Sequence, residues 1–284
     1  MANPDFPAIP VLLVDGDIVA YRCAAAAEKT KYLVSGRYRS DDYEAPMCDE
    51  YDTAKEAKAA AVDAEANYDD IKIWSRKELE PVEHALQITK TMMQSIADKW
   101  PESIVQVYLS GDRNFRDDVW RTRKYKGNRD QPKPAHLRAV QDYLRDRWHA
   151  RTSVNQEADD DIGIDAGKEG SVVVSTDKDL DQIPGWHYNF VSGDVYYVKE
   201  EDAEQFFWEQ VIAGDSTDNI PGLPDYGLKT ARKYLDLRMR TVGGHGPEES
   251  YHDYVYALFQ KEGFGYEYFH EMVTLIKILR EPRQ

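Results

Sequence analysis

The sequence predicts an α/β fold: a mainly parallel sheet with helices on both faces, followed by a helical C-terminal region. Two observations carry the first half of that statement. Short apolar, β-branched runs stop at acidic residues in IPVLLVDGD (9 to 17), ESIVQVYLSGD (102 to 112) and GSVVVSTDKD (170 to 179), the pattern of buried strands that deliver polar groups at their carboxyl ends. Helix-like stretches lie between them, at Ile18 to Ala27, Val82 to Lys99, Ala135 to His149 and Asp159 to Lys168, and strands alternating with helices favour parallel pairing. A third observation gives the second half. After Glu200 the pattern is helical, broken by the turn GDSTDNIPGLPDYG (214 to 227) and the loop TVGGHGPEES (241 to 250).

Taken element by element, the first strand ends on Asp15 with Asp17 close behind, the second on Asp112, and the third on Asp177 and Asp179. Residues 30 to 80 interrupt the rhythm: KYLVSGRYRS alternates like one arm of a hairpin, and TAKEAKAAAVDAEANYDD reads as a surface helix. We take this stretch as an insertion in a first domain of residues 1 to 200, with 201 to 284 a second, helical region. QEADDD places Glu157, Asp159 and Asp160 at a helix start. Asp215 and Asp218 lie in a turn that the following Ile-Pro-Gly stiffens.

With 284 residues and 42% apolar side chains, the chain can bury a real core. Two cysteines, Cys23 and Cys48, form neither a disulfide framework nor a thiolate metal site, which fits a reducing compartment. The apolar run Ile9 to Val14 is too short for a signal core or a membrane span, so a soluble, cytoplasmic monomer without a membrane partner is expected. A net charge of −16 disfavours nucleic acid at first sight. The stretch Arg121 to Arg151 nevertheless holds ten Lys/Arg against three Asp, a local +7.

Each acid alone has a plain explanation as a cap or turn residue. Together, in a parallel sheet, several strand ends converge on one edge, where like charges raise one another's pKa or require a cation. Oxygen ligands without thiolate favour Mg²⁺ or Mn²⁺, and two such ions suit phosphodiester cleavage by activating water and neutralising charge. The adjoining strip VWRTRKYKGNR (119 to 129), with Arg121, Arg123, Lys124 and Lys126, is suited to a phosphate backbone, and Tyr125 to base stacking.

The pieces VDGDIVAYR, SGDRNFRDDVWRTRKYKGNR, EADDD, STDKDL and GDSTDNIPGLPDYGLKTA resemble, in this order, the 5′-nuclease superfamily of flap endonucleases and 5′→3′ exonucleases, in particular the compact bacteriophage exonucleases. The resemblance implies a PIN-like nuclease core, a helix-three-turn-helix after Asp215, two Mg²⁺ or Mn²⁺ ions, a potassium ion in that turn, and roles in DNA replication or repair. It implies Asp15, Asp112, Glu157, Asp159 and Asp160 around a first metal, and Asp177, Asp179, Asp215 and Asp218 around a second. Arg22, Lys126 and Arg129 resemble the cations at the scissile phosphate. Tyr21 and Tyr125 resemble stacking residues, and Arg116 falls within the same DNA-contacting stretch. Gly222, Gly227, Lys229 and Thr230 would hold duplex phosphates. The implied substrate is DNA with a 5′ end, nick or flap, or an RNA–DNA hybrid, in the cytoplasm of a bacterial host if phage-encoded. Three departures stand out: Asp225 replaces the first hairpin glycine, few residues are left between Arg129 and Glu157 for a helical arch, and residues 30 to 80 are longer than the core pattern needs.

Two other readings compete. A haloacid-dehalogenase-type phosphatase would use Asp15 as a covalent nucleophile, which leaves KYKGNR and EADD without a role. A non-catalytic acidic DNA mimic would need exposed carboxylates.

Overall fold

The computed structural model describes residues 4–38, 46–129, 131–241 and 250–283; of the loop expected at 241 to 250, residues 242–249 lie outside them. Along the chain run β1 (Val11–Asp15), α1 (Gly16–Ala26), β2 (Glu28–Tyr38), β3 (Pro46–Tyr51), α2 (Ala54–Ala64), β4 (Tyr68–Leu79), α3 (Val82–Asp98), β5 (Ile104–Leu109), α4 (Arg116–Val119) and α5 (Leu137–Trp148). They are followed by β6 (Arg151–Thr152), α6 (Ala158–Ala166), β7 (Ser171–Val174), a 3₁₀ turn (Asp179–Gln182), β8 (Gly185–Tyr188), β9 (Val195–Val198), α7 (Glu200–Ala213), α8 (Leu228–Thr241), α9 (Tyr251–Lys261) and α10 (Tyr266–Ile276). Cα packing divides the chain into two compact units, one of Met1–Val19, Met92–Pro132 and Gln141–Gln284, the other of Ala20–Thr91 and Lys133–Val140.

In the first unit a six-stranded sheet has the order β6-β5-β1-β7-β8-β9. All pairings are parallel except β8 with β9. Strands β1 and β7 are central and almost wholly apolar, with Leu12, Leu13, Val14, Val172, Val173 and Val174 all buried, as a strand covered on both faces must be. The short strands β8 (GWHY) and β9 (VYYV) escape a sequence reading because four residues set no period.

Two clusters of buried residues bear on the site. Leu13, Tyr108, Val173, Ala158, Ile162, Leu180 and Ile278 pack between the sheet, α6 and the C-terminal segment. Trp208, Val211, Ile212, Ile220, Leu223, Leu235, Phe259, Phe269 and Met272 join the C-terminal helices to the 214–222 turn.

The second unit carries a three-stranded antiparallel sheet in the order β3-β2-β4. The arm expected at KYLVSGRYRS is β2, which pairs with both neighbours. Helix α2 is shorter than its Ala/Glu/Lys-rich sequence suggests. It buries Ala57 and Ala61 against Val34, and the chain from Tyr68 enters β4, where Tyr68, Ile71, Ile73 and Trp74 favour a strand. Cys23 is buried, Cys48 is exposed, and the two form no disulfide.

Candidate active site

The sheet register explains the first acids. Val14 lies level with both Val107 and Val174, so Asp15 emerges beside the residues that follow β7. Its Oδ1 accepts the Ile18 amide (3.0 Å), capping α1, and its Oδ2 accepts the Ser175 hydroxyl (2.8 Å). Ser175 Oγ accepts the Asp177 amide and Asp177 Oδ1 accepts the Asp179 amide, both at 3.0 Å. Asp15 is only 2% exposed. Burial, with repulsion from Asp17 and Asp177, pushes its carboxyl up to about 7. With both oxygens engaged and buried, Asp15 is poorly disposed to be a covalent nucleophile.

The same physics links the other acids. Burial, then Asp15, Glu157 and Asp177, hold Asp159 well above the carboxylate range. Asp179 is pushed up to about 7 by burial and by Asp177 and Asp215. Asp215 is raised by burial and Asp218. Acids from 15 to 218 therefore share one electrostatic field, around a pocket lined by Tyr125, Glu157, Asp159, Asp179, Asp215 and Asp218.

At the start of α6, Glu157 and Asp160 form a reciprocal capping box. Asp160 departs from the metal-binding expectation. It is fully buried, its Oδ2 and Oδ1 accept Arg116 Nη1 (2.7 Å) and Nη2 (3.0 Å), and it also accepts the amides of Glu157 and Leu279, each at 3.0 Å. No lone pair faces the pocket. Arg116 is corrected with it: only 3% exposed, it also donates to the carbonyls of Leu275 (3.0 Å) and Lys277 (2.5 Å), so it braces the fold and cannot reach DNA.

Tyr125 is likewise 4% exposed, which rules out base stacking; its hydroxyl lies 2.8 Å from Glu157 Oε2 and 2.9 Å from Asp218 Oδ2. Lys126 pairs with Glu157 and lies 3.6 Å from Asp218, and Arg129 pairs with Asp218. Burial alone would lower the Lys126 ammonium, but Glu157 and Asp218 outweigh it and raise its pKa. Burial would raise Glu157, and Lys126 and Arg116 hold it low instead. Arg121, Arg123 and Lys124 are exposed. Their strand of loop is pinned by the buried Glu271, which accepts the amides of Arg121 (2.7 Å) and Thr122 (2.8 Å).

In the turn, Asp215 and Ile220 exchange backbone hydrogen bonds of 2.9 and 2.7 Å, and Asp215 Oδ1 accepts the Thr217 amide (2.7 Å). Gly214 (φ 72°) and Gly222 (φ 60°) touch back to back: a Cβ on Gly222 would lie 2.3 Å from the Gly214 nitrogen. Asp225 adopts φ 65°, the left-handed conformation that Asp tolerates better than most residues. The Gly227 carbonyl accepts the amides of Thr230 and Ala231 as α8 begins, and Lys229 is exposed.

Tyr21 and Arg22 are exposed on the part of α1 that belongs to the second unit. Asp112 is exposed on the loop beyond β5 and does not line the pocket. Sequence reasoning missed Gln182 and Gln210, which are buried beside Asp179 and mark themselves by no spacing. Among the described residues no three acidic, histidine or cysteine side chains are grouped as a preformed metal cage, and Lys126 and Arg129 sit on two of the acids. The donor set still fits a hard divalent cation: it is all oxygen, and neighbouring carboxylates help to raise Asp15, Asp159, Asp179 and Asp215.

No family model matches the chain. Over 172 residues, 52% of this chain, it is 31% identical to DNA polymerase I of Bacillus caldotenax, and over 165 residues, also 52%, it is 33% identical to flap endonuclease Xni of Shewanella sp. (strain W3-18-1). The matches span 19% of that polymerase and 63% of that endonuclease. The D15 protein of T5, co-crystallized with metal ions, shares the fold with a TM-score of 0.54 at 17% identity, over 95% of this chain and 89% of that one. The chain is thus similar in sequence, across about half its length, to part of a DNA polymerase and to a flap endonuclease, and it shares the fold of the T5 D15 protein.

Proposed function

We propose that the chain is a divalent-metal-dependent 5′ nuclease that hydrolyses DNA phosphodiesters at or near 5′ ends, leaving 5′-phosphate and 3′-hydroxyl groups. The observation that carries this reading is the single field shared by acids from four separated segments, with Lys126 and Arg129 set against it. Asp15, Glu157 and Asp159 are assigned to one divalent cation, and Asp177, Asp179, Asp215 and Asp218 to a second. Such ions, Mg²⁺ or Mn²⁺, supply water activation and charge neutralisation.

The chain's own groups do the rest. Lys126 exchanges its carboxylate partner for the scissile phosphate and stabilises charge as it develops there. Arg129 does the same for a neighbouring phosphate, and Arg22 is assigned to the 5′ end with Tyr21 as its stacking platform. Arg121, Arg123 and Lys124 track the backbone. We read α7, the 214–227 turn and α8 as a helix-three-turn-helix, in which Gly222, Gly227, Lys229 and Thr230 hold duplex phosphates and the turn suits a potassium ion. The T5 D15 protein was crystallised with metal ions, and the named relatives are a flap endonuclease and a DNA polymerase; both support the reading.

Digestion of 5′-labelled and 3′-labelled duplexes, intact, nicked and flapped, tests it. Mg²⁺-dependent release from the 5′ side that EDTA abolishes is expected. Cleavage from 3′ ends, or turnover in EDTA, overturns it.

A further inference from the structure

Beside Asp179, on the wall of the same pocket, lies a row of buried amides to which the proposed reaction gives no role. Gln210 on α7 donates Nε2–H to Asp179 Oδ1 at 2.7 Å. Its Oε1 accepts Nε2–H of Gln182 at 2.7 Å, and Gln182 also donates to the Ile276 carbonyl and accepts the Ile278 amide on Oε1, both at 3.1 Å. Both glutamines are 6% exposed.

The ends of this row fix its direction. A carbonyl can only accept and a backbone amide can only donate, so Gln182 must turn its nitrogen to Ile276 and its oxygen to Ile278. Its second N–H then meets Gln210, which must present oxygen. Gln210 is left with only N–H to offer Asp179. The amides cannot flip without breaking at least two buried hydrogen bonds.

We propose that Gln210, wired through Gln182 to the backbone at the end of α10, is a positioning residue that orients the Asp179 carboxylate for a divalent cation. One carboxylate oxygen is taken by the amide, and the other is the one that would meet a cation. Groups that hold a metal ligand in place from behind typically change metal affinity about 10- to 100-fold when removed. This inference rests on the nuclease reading of the same site.

The test uses the full chain as wild type, Gln210→Met, Gln182→Met and the double variant, titrated with Mn²⁺ by calorimetry without DNA. DNA affinity is read in parallel by anisotropy in EDTA. Gln210→Met is expected to weaken Mn²⁺ binding roughly tenfold or more, with DNA affinity in EDTA within about twofold of wild type. The double variant should lose no more than the worse single one, because the two amides act as one chain. Gln182→Met, at the far end, carries the test if Gln210→Met does not fold. Wild-type Mn²⁺ affinity in the single variants, or losses that simply add, overturns the relay while leaving the nuclease reading intact. Failure of the wild type itself to bind Mn²⁺ overturns that reading instead.

Discussion

Lys126 holds its backbone at φ 53°, a conformation that costs a non-glycine residue about 1 to 3 kcal/mol and persists only where surroundings enforce it. Here the enforcement is visible: its amide donates to the Asp218 carbonyl at 2.9 Å, and its ammonium meets Glu157. A strained cation aimed at an acid pocket is a costly arrangement for structure alone. Lys126→Ala is therefore expected to slow single-turnover cleavage by about 2 to 4 kcal/mol, roughly 30- to 1000-fold; a rate within about twofold of wild type would remove it from the mechanism. The acids make a second prediction. Asp15 and Asp179 titrate near 7 when folded and near 3.9 when unfolded. The folded state thus binds more protons between those values, and stability falls as pH rises through that window. Glu157 and Asp165 are shifted down, so their contribution is lost only at lower pH. The metal-free protein should melt at a higher temperature at about pH 5.5 than at about pH 8 in calorimetry; the reverse order would contradict the burial described.

At the scale of elements, the 214–222 turn and the start of α6 are built differently. The turn depends on two glycines at positive φ in mutual contact, so Gly222→Ala should cost about 3 kcal/mol from backbone strain and overlap together, read as a lowered denaturant midpoint. The start of α6 depends on the buried Arg116–Asp160 pair. Arg116→Leu leaves an uncompensated buried carboxylate and should cost about 3 to 5 kcal/mol; a loss under about 1 kcal/mol would show that the pair is dispensable. These elements also show what a sequence can display. Strands β1, β5 and β7 and helices α1, α3, α5 and α6 announce themselves by period and by terminal acids. Asp15, Asp177 and Asp179 follow from those ends, and Asp215 from the turn that Ile-Pro-Gly stiffens. The roles of Arg116, Tyr125 and Asp160 do not: Arg116 and Asp160 are held by the end of α10 and the segment after it, more than a hundred residues downstream, and Tyr125 is buried in the cluster of C-terminal helices. An arginine in a basic strip looks the same whether it faces DNA or a distant carbonyl.

For the whole molecule, sixteen excess negative charges coexist with a local +7, and the sheet order explains how both can serve one reaction. Placing β1 between β5 and β7 brings strand ends nearly 160 residues apart to one edge, and the cationic loop closes over that edge through Glu157 and Asp218. Distant acids are thereby collected where hard cations can quiet their repulsion, beside side chains able to hold phosphate. The most direct test of that claim compares wild type with Asp215→Asn on one 5′-labelled nicked duplex, measuring cleavage in Mg²⁺ and DNA binding in EDTA side by side. We expect the variant to bind DNA within about twofold of wild type and to cleave it at least about a hundredfold more slowly, since removing a metal ligand spares the cationic strip. Cleavage at the wild-type rate by Asp215→Asn would contradict the account.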